Sequence, residues 1–123
     1  MEWVFNGDRP IWIQLHEQLR QRIVTGVYPS GERLPAVREL AAEAEVNPNT
    51  MQRALAQLEA DGLALTNRTA GRVVTDNEEV LKMERMKMAQ ERIREYLESM
   101  AVLGFTVEEA KELLVRREQE ENG

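Results

Sequence analysis

The sequence predicts a mainly α-helical chain with a small β-hairpin: a winged helix-turn-helix followed by a C-terminal two-helix dimerisation unit. Three observations lead there. Residues 34–61 hold two short amphipathic patterns joined by a tight link, residues 62–76 read as a hairpin, and residues 77–123 carry a long apolar stripe at helical spacing. These place a winged helix-turn-helix DNA-binding domain at residues 1–76 and a helical dimerisation hairpin at residues 77–123.

Residues 2–5 (EWVF) are long enough only for an edge strand or a packed arm. Asn6-Gly7-Asp8 has turn composition, and Pro10 suits a helix start because it has no N–H to leave unsatisfied there. From Ile11 to about Gly26, the residues Trp12, Leu15, Leu19 and Ile23 recur at steps of three and four, which is an amphipathic helix. Gly26 suits its C-terminal cap, and residues 27–31 (VYPSG) turn the chain toward Leu34-Pro35.

The next two patterns are short and close together. Val37, Leu40, Ala41 and Ala44 form one apolar stripe, and Met51, Ala54, Leu55 and Leu58 form a second with the same spacing. Glu45, Val46 and Asn47 leave room for a turn of only a few residues, the signature of a helix-turn-helix. Asn47 is a good N-cap and Pro48 suits the first helical position. Opposite the second stripe lie Asn49, Gln52, Arg53 and Ala56. Amide and guanidinium groups beside a short residue are what a helix needs to reach base edges in a major groove. The same face also fits a solvated bundle helix, with Arg53 or Arg38 paired to Glu39 or Gln57.

Gly62 ends that helix, and the alternation of Leu63 with Leu65 and of Val73 with Thr75 predicts two short strands around a turn at residues 68–71. A hairpin directly after a helix-turn-helix is a wing. Its tip carries Arg68, Gly71 and Arg72, residues suited to a phosphate or a minor groove. Arg20, Arg22 and Arg33 read as a solvated face.

At the head of the C-terminal part, Asp76 and Glu79 form a capping-box pattern ahead of Val80, Met83, Met86, Ala89, Ile93, Leu97, Met100 and Leu103, which keep helical spacing until Gly104. Thr106 and Glu109 make a second box, and Ala110, Leu113 and Leu114 continue an apolar face. Two helices cannot enclose a core, and this stripe would be wet on a monomer. Its cover could be the winged domain of the same chain or the same helices of a second chain; a homodimer is favoured, with Met86, Ile93, Leu97, Met100, Leu103 and Leu113 at its interface.

Bulk composition narrows the function classes. The net charge is −6, yet residues 1–76 contain eight Arg and no Lys against ten acids, while residues 77–123 contain eight basic and twelve acidic residues. Arginine offers a planar fork matching phosphate and guanine, so this half favours placed contacts over a positive field. Non-specific DNA binding is expected to be weak. There is no Cys, one His, no glycine-rich phosphate loop and no paired metal-ligand spacing, which argues against an enzyme and predicts no cofactor. No apolar run of membrane-spanning length occurs, so no membrane partner is expected, and the cysteine-free composition fits the cytoplasm.

Residues 10–75, including LPAVRELA, VNPNT and LEADGL, resemble the DNA-binding domain of the GntR family of bacterial transcription regulators. VNPNTMQRA followed by only two helices looks like the small YtrA-like subfamily. The resemblance implies a homodimeric repressor on an inverted-repeat, double-stranded DNA operator, without the effector domain of larger relatives. A further branch of the family carries a pyridoxal-phosphate domain, for which this chain is too short. Carried over by position, Arg38 corresponds to a DNA-contacting arginine, and Asn49, Thr50, Gln52 and Arg53 fall on recognition-helix positions. Gly71 falls on the wing glycine. The chain departs from the pattern at Ala36, where many members have Ser, and at Glu45, where a turn glycine is common.

Two readings from different classes remain at this level: a sequence-specific transcription regulator, and a winged-helix interaction module without specific DNA binding. A small-molecule effector is compatible with the first, and nothing in the residues identifies one.

Overall fold

In the computed structural model, which describes residues 2–122, helix α1 spans Ile11–Val24 and buries Leu15, Leu19 and Ile23 as the spacing required. Helices α2 (Val37–Ala44) and α3 (Pro48–Ala60) follow, then strands β1 (Ala64–Asn67) and β2 (Gly71–Val74). Helices α4 (Glu78–Val102) and α5 (Val107–Asn122) complete the chain. The fold is the expected winged helix-turn-helix with a helical C-terminal part. It packs as two units, the first ending at Arg85 and the second beginning at Met86, so the division falls within α4.

The core of the first unit joins Leu15, Leu19 and Ile23 to Leu40, Ala41 and Ala44 of α2 and to Met51, Ala54, Leu55 and Leu58 of α3. Leu34, Leu63, Ala64 and Val74 close it from the wing side. Residues 2–5 form a packed arm: Trp3 and Phe5 lie against this core. Two side-chain amides one turn apart on α1 hold the arm. Gln18 accepts from the Val4 N–H at 3.0 Å and donates to its carbonyl at 2.7 Å. Gln14, which is buried, accepts from the Asn6 N–H at 2.9 Å and donates to the carbonyls of Asn6 and Arg9. The pair imitates the edge of a β-sheet.

Pro10 precedes α1 as its N-cap, its carbonyl accepting from Ile13 and Gln14. Helix α4 is capped by Asn77 and not by Asp76: the Asn77 side chain accepts from the Glu79 and Val80 N–H groups. Either residue type serves as a cap, and here the chain enters the helix one position later than the box pattern implies. The Thr106–Glu109 box forms as expected, with Thr106 N–H donating to the Glu109 carboxylate and Glu109 N–H to the Thr106 hydroxyl. Within the second unit, the Tyr96 hydroxyl donates to the Ala110 carbonyl at 2.9 Å, tying α4 to α5, and Ala110 is fully buried.

Three expectations from sequence need correction. Leu65 does not share a face with Leu63. Leu63 belongs to the exit of α3, its N–H donating to the Leu58 carbonyl, and β1 starts only at Ala64. Ala64 and Thr66 therefore face α3, while Leu65 points outward and is 52 % exposed. Arg20 and Arg22 are buried and form no solvated face. Arg20 pairs with Glu84 of α4 at 2.6 Å, and Arg22 lies 3.6 Å from the Trp3 ring centre and donates to the Tyr28 hydroxyl. Finally, Leu103 falls beyond the end of α4, in the turn closed by Gly104.

Candidate nucleic-acid interface

Helix α3 starts as its sequence dictates. The Asn47 side chain accepts from the Asn49 N–H at 2.7 Å, and Pro48 takes the first helical position, where its missing donor costs nothing. The turn before it is short because Glu45 adopts the left-handed conformation, φ 57°. That residue closes α2, with Val46 N–H donating to the Ala41 carbonyl and Glu45 N–H to Ala42. Leu40, Ala44, Met51 and Leu55 then lock the two helices together through the core.

This arrangement brings Asn49, Gln52 and Arg53 onto one exposed face of α3, with Thr50 half-buried beside them. On α2, Arg38 is exposed. Neither Arg38 nor Arg53 makes an ion pair with any described residue; the alternative pairing of either with Glu39 or Gln57 is not seen. Instead, the Arg53 guanidinium sits over the Trp12 ring, 4.2 Å from its centre.

The wing is a two-stranded antiparallel sheet whose register pairs Ala64 with Val74 and Asn67 with Gly71. Asn67 organises the turn: its side-chain oxygen accepts from the Thr69 and Ala70 N–H groups and from the Thr69 hydroxyl. Gly71 leaves the turn at φ 81°, where a side chain would be strained. Residues 31–34 run along the far side of β2. Gly31 N–H donates to the Val74 carbonyl, Val74 N–H to Glu32, and Leu34 N–H to Arg72.

The wing arginines divide into two kinds. Arg68 at the tip is exposed, and no ion pair holds it among the described residues. Arg72 turns inward, its Nε 3.0 Å from the Glu59 carboxylate of α3. The Thr66 hydroxyl donates to the same carboxylate oxygen. That hydroxyl bond is the main reason the Glu59 carboxyl is held below its ordinary pKa; burial opposes it, and Arg72 adds to it.

Sequence reasoning undervalued two residues. Arg33 is exposed, bridges to Val73, and places its Nε 3.8 Å from where a Cβ on Gly71 would stand. Its pairing partner lies forty residues away, so only the extended backbone favoured before Pro35 hinted at it. Trp12 reads as one more member of the α1 stripe, but it is half-buried and carries Arg53 on its ring.

The stripe expected at the dimer interface is uneven. Met86 and Ile93 are 61 % and 58 % exposed, Leu97, Met100 and Leu113 are half-buried, and Leu103 is exposed. Among the described residues there is no cluster of metal-ligating side chains, and no helix is long and apolar enough to cross a membrane.

Residues 13–74 match the model of the gntR family of bacterial regulatory proteins. The chain is 33 % identical over 112 residues to the uncharacterized HTH-type transcriptional regulator YhcF of Bacillus subtilis, covering 91 % of this chain and 93 % of that protein. It is 31 % identical over 107 residues to the HTH-type transcriptional repressor YtrA of the same organism, covering 86 % and 82 %. Among solved structures, a GntR family transcriptional regulator from Listeria monocytogenes superposes with a TM-score of 0.81 at 32 % identity, covering 91 % of this chain and 98 % of that one.

Proposed function

This chain belongs to the gntR family of bacterial regulatory proteins, which are transcription regulators and not enzymes, and from that premise we propose that it is a homodimeric repressor of an inverted-repeat operator. One observation carries the reading. The N-terminal turns of α3 present Asn49, Gln52 and Arg53 outward on a helix that Asn47, Pro48 and the core fix firmly in place. Hydrogen-bonding side chains on a rigid helix face, not tied up by neighbours, are what direct base readout requires.

In this reading Asn49, Thr50, Gln52 and Arg53 meet base edges or adjacent phosphates, and Arg38 grips the backbone from α2. Gly71 lets the wing approach a minor groove, and Arg68 and Arg33 meet phosphates beside it. Arg72 belongs to the interface as a strut, because its Nε is spent on Glu59.

The dimer is supported by α4. Met83, Met86, Ile93, Leu97 and Met100 fall at helical spacing on one face of a 25-residue helix, and Met83, Met86 and Ile93 are wet in a single chain. A second copy is the simplest cover for such a stripe. Two recognition helices related by a two-fold axis would read half-sites about one helical turn apart. The name of the related YtrA supports repression over activation.

Selection of bound fragments from a random DNA pool, followed by isotherms on the enriched sequence at several salt concentrations, tests the proposal. The expected product is a palindrome bound more tightly than random DNA, with affinity falling as salt rises. Enrichment of no sequence would sink it and favour a winged-helix interaction module, a reading that the net charge of −6 otherwise motivates.

A further inference from the structure

Arg53 on Trp12 is the one exposed α3 side chain whose direction another element sets. Trp12 lies in the first turn of α1, Arg53 in the second turn of α3, and the two helices pack directly on each other. At 4.2 Å from the ring centre, the guanidinium carbon lies over the electron-rich face of the indole. Its N–H donors lie in the guanidinium plane, and no carboxylate among the described residues pairs with them. The ring attracts the charge and leaves the N–H groups their hydrogen-bonding capacity: an arginine held over an indole still has donors to offer.

We propose that Trp12 is a positioning residue for sequence readout: it holds the Arg53 guanidinium over its ring so that the free edge meets the O6 and N7 of a guanine. A flexible arginine must lose rotamer freedom when it docks, and the indole removes part of that loss beforehand. Trp12 itself touches no DNA. It acts on the one contact that Arg53 makes, so its effect is confined to discrimination at a single base pair. The inference rests on the DNA-binding reading given above.

Two experiments on the full chain test it. The first needs no DNA. Trp3→Phe leaves Trp12 as the sole tryptophan, and adding Arg53→Ala to that protein should change the Trp12 emission spectrum; an unchanged spectrum would overturn the stacking. The second uses the sequence enriched from a random pool and duplexes with each of its guanines replaced. Trp12→Leu should cut discrimination at one guanine about five-fold, as loss of an exposed cation–π contact implies, and leave the salt slope unaltered. Trp12→Phe should keep most of it, and Trp12→Leu in the Arg53→Ala background should change nothing further. Equal weakening on every duplex, or an undiminished effect in the Arg53→Ala background, would show that Trp12 is merely structural. Thermal melts of each variant separate either result from misfolding. Failure to enrich any sequence would instead sink the regulator reading, while the emission experiment would still decide whether the stacking exists.

Discussion

The Arg72 guanidinium and the Glu59 carboxylate meet at 3.0 Å, and this contact ties the second strand of the wing to the last turns of the recognition helix. Wing and helix are thus joined through this pair. The Glu59 carboxyl is held below its ordinary value near 4.5, first by the Thr66 hydroxyl and then by Arg72. A carboxyl whose pKa is lowered by folding stabilises the native state above its unfolded pKa, and that stabilisation fades as pH falls through the folded value. Glu59→Gln should therefore cost about 1 kcal/mol at neutral pH and flatten the acid side of the stability curve below about pH 4.5. Thermal melts of both proteins from pH 7 to pH 3 measure it; coincident curves would show that the contact contributes nothing, and parallel ones that its contribution does not depend on the Glu59 charge.

The two wing arginines should behave differently. Arg72→Ala should lower both the melting temperature and the affinity for DNA, since it frees the wing from α3 and strands Glu59. Arg68→Ala should leave stability within about 0.5 kcal/mol and reduce the slope of affinity against salt by about one unit. Melts and salt titrations on the two variants separate strut from contact.

Arg53→Ala should weaken binding to the selected operator by about 1–3 kcal/mol, the value of a bidentate guanine contact. A gel-shift titration reads this directly, and unchanged affinity would remove Arg53 from the site. Arg38→Ala should weaken binding to operator and random DNA alike, as loss of a backbone contact does.

Ile93→Glu places a charge in the middle of the α4 stripe at a position 58 % exposed in one chain, so the fold itself should survive. Sedimentation equilibrium should show a dimer for the unaltered protein and a monomer for the variant, with operator affinity falling sharply because two half-sites would no longer bind together. A variant that remains dimeric would move the interface elsewhere.

Glu45→Gly should stabilise the protein by about 1 kcal/mol, because Glu45 holds φ at 57°, a conformation that costs a residue with a Cβ roughly that much. Chemical denaturation gives the difference. No gain would mean that glycine's extra freedom in the unfolded chain offsets the relief.

Local signals explain what could be read in advance. The start of α3 was legible because Asn47 and Pro48 specify a helix start without help from the rest of the fold. The Thr106–Glu109 box is equally local. What escaped were features set by distant partners. Arg20 and Arg22 look like surface residues until Glu84 and Trp3, which meet them only in the folded chain, are in view. The run at residues 31–34 pairs with β2 across forty residues, and its few bonds leave no periodicity to detect. Leu65 points the other way from its sequence expectation because strand parity depends on where β1 begins, and the exit of α3 takes up Leu63. In the interface, residue types pointed to Asn49, Gln52 and Arg53, while the inward turn of Arg72 and the platform under Arg53 were properties of packing alone.

The amides of Gln14 and Gln18 that secure the N-terminal arm are neutral groups. Neither acid nor added electrolyte weakens such bonds appreciably, whereas every phosphate contact loses strength as electrolyte rises. The arm should thus stay docked across the whole range of ionic strength over which DNA is released. Slow hydrogen exchange at the Val4 and Asn6 amides would register this. Ionic strength then becomes a clean experimental variable for this chain, acting on the protein–DNA contact and leaving this anchorage alone.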